Sequence, residues 1–330
     1  MTESLPLSWA NVHVATCDDA GNVYLLISDS ATEYKLASLD RERRLRWKKP
    51  SPTHWPYMEA SHIQMSAWSE AGELVLWSRG RQSAHRISCR DGSVVGTLGA
   101  AGDGHVDLTR ARSLAVDKDG SLLVVTAGVL RRYSSEGAPQ PLWEGNPLTE
   151  VALAEPPKAD HGFAFVGWDG ATWVVTYRAK GVLWGENWDG ISPRWRRYDR
   201  RGETLAWSAP YYLLYESTLG WADREGHPYA VWLISASFAH VMRYAKDVKS
   251  FEYWLASSAG PPLEPGTFDA ATLRPTRPAP SALHGEHVLC VAPDGAIWAF
   301  GSLNLLRCFD PTGMPTFVSP ASRAANADGE

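Results

Sequence analysis

Ser113-Leu114-Ala115-Val116-Asp117-Lys118-Asp119-Gly120-Ser121-Leu122-Leu123-Val124 reads as an apolar strand, a polar turn carrying glycine and a second apolar strand. Glycine reaches positive φ without steric cost and Asp caps the turn amides, so the run specifies a tight hairpin. The pattern returns at Val14-Ala15-Thr16-Cys17-Asp18-Asp19-Ala20-Gly21-Asn22-Val23-Tyr24-Leu25 and at Met65-Ser66-Ala67-Trp68-Ser69-Glu70-Ala71-Gly72-Glu73-Leu74-Val75-Leu76. Its turn glycine reappears at Gly170, Gly226 and Gly295, and successive glycines of the series stand 51, 48, 50, 56 and 69 residues apart.

A second hairpin follows each first one: Leu36 to Trp47, Ile87 to Gly92, Arg132 to Trp143, Arg197 to Trp207, Met242 to Trp254, and Cys308 to Gly313. Two hairpins per period give four strands, and a period near fifty residues lies on the β-propeller scale. The expected fold is all-β: a single six-bladed β-propeller over residues 1–318, with four antiparallel strands per blade. The blades fall near 10–50, 60–100, 111–146, 162–208, 217–256 and 286–318, and residues 319–330 read as a disordered tail. Leu5 to Trp9 could add an outer strand to the last blade or be a simple lead-in. Two stretches break the period, Tyr177 to Pro193 and the Pro-, Ala- and Ser-rich Leu255 to Glu286. Both fall where connections leave the same side of a four-stranded blade, so both decorate one rim.

Hydrophobic residues make up 44% of the 330-residue chain, enough to bury a large core. With 32 Lys and Arg against 37 Asp and Glu, the net charge of −5 offers no concentrated basic face, which argues against a nucleic-acid partner. Met1 to Trp9 lacks the basic and apolar regions of a signal peptide, and no stretch reaches bilayer-spanning length. The expectation is a cytoplasmic protein with no membrane partner. Cys17, Cys89, Cys290 and Cys308 stand singly in apolar runs and read as buried free thiols.

The segment Leu114 to Val124, followed by Val129-Leu130-Arg131-Arg132-Tyr133, resembles NHL-type six-bladed propellers. The Trp-terminated outer strands at Trp47, Trp143, Trp207 and Trp254 are similar to the PQQ-type repeat of assembly-factor propellers. Both resemblances imply a propeller and leave its activity open, since both groups include scaffolds and enzymes. The periodic Gly-His and Trp-Asp pairing of WD repeats is not matched. No residues are assignable to a quinone cofactor, and no cofactor is expected.

Of the 16 tryptophans, the four at one repeat position fit packing between neighbouring blades. Trp55, Trp184 and Trp188 fall in predicted loops with Tyr57, Tyr211, Tyr212 and Tyr215, and form a candidate aromatic rim of the kind that supplies interface hot spots. Some NHL-type lyases hold zinc with histidines from several blades. Here His62, His161 and His287 lie ten, nine and eight residues before their turn glycines, near the start of innermost strands, as does His13. Neutral imidazoles converging there could ligate zinc and activate water, although strand alternation sends unequal offsets to opposite faces. The stretch Gly102 to Asp107 lacks the spaced oxygens of a calcium loop. No nucleophile-elbow, zincin or phosphate-loop motif is present. The leading expectation is a non-catalytic interaction module that binds another protein through the aromatic rim. A metal-dependent lyase or hydrolase with a His-lined channel is the alternative, and a carbohydrate-binding propeller the third reading.

Overall fold

The structure, a computed structural model, describes residues 11–28, 33–52, 63–79, 83–98, 106–126, 128–152, 161–177, 193–208, 220–235, 238–244, 246, 251–256, 268–269, 274–275, 286–301, 306–311 and 315–318. Among them every regular element is a strand, and no helix is long and apolar enough to cross a membrane.

The first sheet holds β1 (Asn11–Cys17), β2 (Val23–Ser28), β3 (Tyr34–Leu39) and β4 (Leu45–Pro50). The second holds β5 (Ile63–Trp68), β6 (Glu73–Ser78), β7 (Ala84–Ser88) and β8 (Val94–Leu98). A third contains β9 (Ala111–Val116), β10 (Leu122–Thr126), β11 (Val129–Tyr133), β12 (Pro139–Gln140) and β13 (Glu150–Ala152). The fourth comprises β14 (His161–Val166), β15 (Thr172–Tyr177), β16 (Pro193–Asp199) and β17 (Gly202–Ser208), and the fifth β18 (Gly220–Ala222), β19 (Pro228–Ser235), β20 (Phe238–Tyr244) and β21 (Phe251–Ala256). After a two-stranded pair of β22 (Phe268–Asp269) and β23 (Arg274–Pro275) comes the last sheet, β24 (Glu286–Val291), β25 (Ile297–Gly301), β26 (Leu306–Phe309) and β27 (Pro315–Val318). Apart from β13, which pairs with β11, strands neighbour one another in chain order, all antiparallel, in a β-propeller arrangement.

Five sheets, rather than the six expected, are plain four-stranded blades. The β9–β13 sheet departs because its outer position is shared. β12 pairs with Arg132 and Tyr133 of β11, while β13 pairs with Val129, Leu130 and Arg131 and runs on to Ala152, past the expected boundary at residue 146. Between them lie Pro141 and Pro147, which lack the N–H a ladder needs. Trp143, expected to end a strand, sits in that interruption in a lone bridge with Asn146.

The inner turns share one geometry. Gly21, Gly72, Gly120, Gly170, Gly226 and Gly295 all have φ between 62° and 86°, and each donates its N–H to the carbonyl three residues earlier. This is a type I turn closed by a left-handed glycine. The Asp of the turn works from either of two places. Asp18 and Asp223 accept the N–H four residues on, whereas Asp119, Asp169 and Asp294 accept the N–H two residues on. An arginine of the third strand then clamps the turn: Arg132 to Asp117 and Asp119, Arg197 to Asp169, Arg243 to Asp223. Each of these arginines precedes a tyrosine and lies opposite the residue three beyond the turn glycine.

Apolar side chains pack between sheets. Separate clusters join the first sheet to the last, the first to the second, the second to the third and the third to the fourth. Tryptophans cross these boundaries as the sequence suggested for Trp47 and Trp143. The Trp47 indole donates to the Cys89 carbonyl at 3.0 Å and covers Gly92, while Trp143 stacks on Tyr198 of the next sheet with centroids 4.7 Å apart. Trp207 and Trp254 lie in β17 and β21, and their side chains fall outside the described residues. The outer turn between β3 and β4 has no glycine: Arg43 takes φ 69° in the position that Gly137 holds in the third sheet, each donating its N–H to the carbonyl three residues earlier. A left-handed non-glycine residue costs about 1–2 kcal/mol. Arg43 offsets it by lying 4.4 Å over Trp298 and donating to Cys308 Sγ, both in the last sheet.

Two outcomes follow for stability, each read from urea unfolding. Gly120→Ala loses about 3–4 kcal/mol, because its Cβ would strike the Trp68 ring in addition to the left-handed penalty, while Gly72→Ala, facing open space, loses only about 1–2 kcal/mol. Arg132→Ala loses about 2–3 kcal/mol by leaving Asp117 uncompensated in a setting where both partners are under a fifth exposed, whereas Arg44→Ala, in an open pair with Asp40, shifts the curve little.

Candidate functional site

The innermost strands form a closed cycle of neighbours: β1 with β5, β5 with β9, β9 with β14, β14 with β18, β18 with β24 and β24 with β1. They enclose a cavity of about 160 Å³ whose wall includes Gln64, Ser66, Lys118, Trp168, Trp221 and Cys290. No ladder joins one inner strand to the next, so side chains supply the missing acceptors. Gln64 Oε1 accepts the Leu114 N–H and Ser113 Oγ accepts the Ala164 N–H, each at 2.9 Å.

At the end of this cavity where the inner turns lie, the residue after each turn's first position is Asp19, Glu70, Lys118, Trp168, Arg224 or Pro293. Bonds between them pass from sheet to sheet. The Asp19 N–H reaches Ser69 Oγ at 3.2 Å, the Trp68 indole the Lys118 carbonyl at 3.1 Å, and Lys118 Nζ the Trp168 carbonyl at 3.3 Å. The Trp168 N–H donates to the Ala222 carbonyl at 2.9 Å, and the Arg224 N–H to that of Pro293 at 3.0 Å. Two bonds skip a sheet. The Trp168 indole passes the fifth sheet to reach the Val291 carbonyl at 3.0 Å, and the Arg224 guanidinium passes the last sheet to bind the Asp19 carbonyl at 2.7 Å and its carboxylate at 3.1 Å. β18, only three residues long, sits between the fourth and last sheets that the indole bridges. Asp19, Ser69, Lys118, Trp168 and Arg224 thus hold sheets to one another at this end.

Among the described residues no three or more His, Cys, Asp and Glu side chains gather into a metal-binding group. Of the proposed ligands, His62 lies outside the described residues, and His161 and His287 stand in inner strands β14 and β24 with side chains outside the described residues. His13, in β1, bonds Ser28 Oγ at 2.7 Å and leans on Tyr34, and burial holds its imidazole below the ordinary histidine range. Asp107 caps the turn before β9 by accepting the N–H and hydroxyl of Thr109. The rim residues Trp55, Tyr57, Trp184, Trp188, Tyr211, Tyr212 and Tyr215 all lie outside the described residues.

A feature that the repeat pattern concealed is a groove of about 580 Å³ on the flank, where the split outer strand of the third sheet meets the fourth. Its floor is held by the Glu144 N–H on the Arg200 carbonyl at 2.7 Å, and by the Leu142 N–H on that of Leu148 at 2.8 Å. Asn146 spends its amide oxygen on the Leu148 N–H and Gln140 its own on the Ser121 hydroxyl, which leaves both amide nitrogens as donors beside the exposed Arg200. The lining also carries the carboxylates of Asp119 and Glu144, which pair with Arg132 at 2.6 Å and Arg200 at 3.5 Å, so its charges balance. The signal in the sequence is the pair Pro141 and Pro147, which flank the Trp143 that the repeat pattern places at a strand end.

No family model matches the chain, and no curated protein matches it. Solved structures do. A protein of unknown function from Bacteroides caccae is similar at 11% identity and TM-score 0.36, over 74% of this chain and 92% of that one. BamB from Moraxella catarrhalis is similar at 12% identity and TM-score 0.33, over 92% and 75%. A chain of the mitotic checkpoint complex is similar at 11% identity and TM-score 0.43, over 91% and 74%.

Proposed function

We propose that the chain is a six-bladed propeller in which the β9–β13 sheet serves as a blade with a split outer strand, and that it works as a non-catalytic module binding another protein. The stitched turn end carries this reading. Lys118, Trp168 and Arg224, the groups best suited to chemistry or recognition there, are engaged in bonds that hold neighbouring sheets. Recognition then belongs to the opposite end, where the segments joining β2 to β3, β4 to β5 and their counterparts leave the sheets, and where Trp55, Tyr57, Trp184, Trp188, Tyr211, Tyr212 and Tyr215 supply aromatic anchors. Four free cysteines fit a cytoplasmic setting.

A zinc-dependent lyase or hydrolase is the second reading, favoured by the inner-strand positions of His161 and His287. Stoichiometric zinc in the purified protein, lost in His161→Ala, would put it first.

Partner capture from cell extract, with cross-linking and mass spectrometry, tests the first reading. Trp184→Ala with Trp188→Ala reduces capture at least about tenfold at an unchanged melting temperature. Trp168→Ala with Arg224→Ala lowers the melting temperature and leaves capture intact. Undiminished capture by the rim variant would overturn the assignment.

A further inference from the structure

The first and last sheets meet along a seam lined with sulfur. Cys17 closes β1 and Cys290 lies in the neighbouring inner strand β24, with their Sγ atoms 3.6 Å apart although they stand 273 positions apart in sequence. Cys308 belongs to the same buried cluster, and Arg43 reaches its Sγ from the first sheet. A disulfide places the sulfurs about 2.0 Å apart. Closing the pair therefore asks for a local approach of about 1.6 Å, taken between two strands already in contact.

The two thiols differ in access. Both are almost fully buried, yet Cys290 contributes to the wall of the central cavity and Cys17 does not. The cavity of about 160 Å³ has room for hydrogen peroxide beside Cys290, which at 2% exposure offers little surface to a larger oxidant. The contact with Cys290 and burial push the Cys17 thiol well above the ordinary range, which keeps it protonated while Cys290 is reduced.

We propose that Cys290 is a peroxide-reactive site and Cys17 its resolving thiol, so that oxidation ties the first sheet to the last. The Cys290 sulfur attacks one peroxide oxygen, the O–O bond breaks, and the departing hydroxide takes the thiol proton and leaves as water, giving a sulfenic acid. Cys17 sulfur then attacks that sulfur, the S–O bond breaks, and a second water departs with the Cys17 proton. Two thiols and one hydrogen peroxide thus become one disulfide and two waters, the two electrons lost by sulfur being those gained by the peroxide.

The test treats the folded wild-type chain with hydrogen peroxide or, separately, glutathione disulfide, alkylates remaining thiols, and maps non-reduced peptides. The expected result is a Cys17–Cys290 cross-link with peroxide and none with glutathione disulfide. The melting temperature rises by about 5–10 °C and returns after reduction. In Cys17→Ser, dimedone labels Cys290 after peroxide, with Cys89 as the buried control outside the cavity wall. Absence of the cross-link in the folded wild-type chain, equal cross-linking by glutathione disulfide, or dimedone on Cys89 or Cys308 instead of Cys290 would overturn the proposal. The wild-type map stands even if a serine variant fails to fold.

Discussion

Inner strands that cannot ladder to one another set the terms for the molecule. Arranged around a central cavity, each leaves a backbone edge without a ladder partner, and a ring of such edges holds only if something else crosses from sheet to sheet. Three kinds of contact do so at successive radii. Side-chain acceptors such as Gln64 and Ser113 serve the innermost strands, apolar clusters fill the space between sheet faces, and the indoles of Trp47 and Trp143 reach over at the outside. The bonds from Trp168 and Arg224 that skip a sheet add a direct tie across the turn end.

The hairpins were readable because their determinants are local. A left-handed glycine, joined by a nearby Asp in five of the six, specifies each inner turn within a handful of residues, and the structure repeats the glycine geometry six times. The arginine clamp was written in the sequence as well, in the Arg-Tyr pairs at 132, 197 and 243, but its meaning needs the register between second and third strands. The turn at Arg43 shows the converse. It has no glycine to announce it, and its strain is tolerated through contacts with residues some 250 positions away.

The flank groove and the stitched turn end were hidden for different reasons. Repeat logic draws Trp143 into an outer strand, since its neighbours in the pattern end strands, whereas Pro141 and Pro147 on either side of it interrupt the ladder. The indole kept its role against the adjacent sheet while the backbone around it left the ladder. The Trp168–Val291 bond spans 123 residues and has no repeat counterpart to betray it. The rim aromatics and the histidine set remain readings of the sequence, placed by chain connectivity alone.

Each described sheet draws its strands from one continuous stretch of chain, and no strand is exchanged between the first sheet and the last among the described residues. A row of n such units has n − 1 interfaces and a circle has n, so the final interface arrives without any further chain being ordered. Cooperativity in this protein is therefore concentrated in an event with long sequence separation and slow closure. The boundary between β1 and β24 is where a stack of autonomous hairpin pairs becomes a single thermodynamic unit.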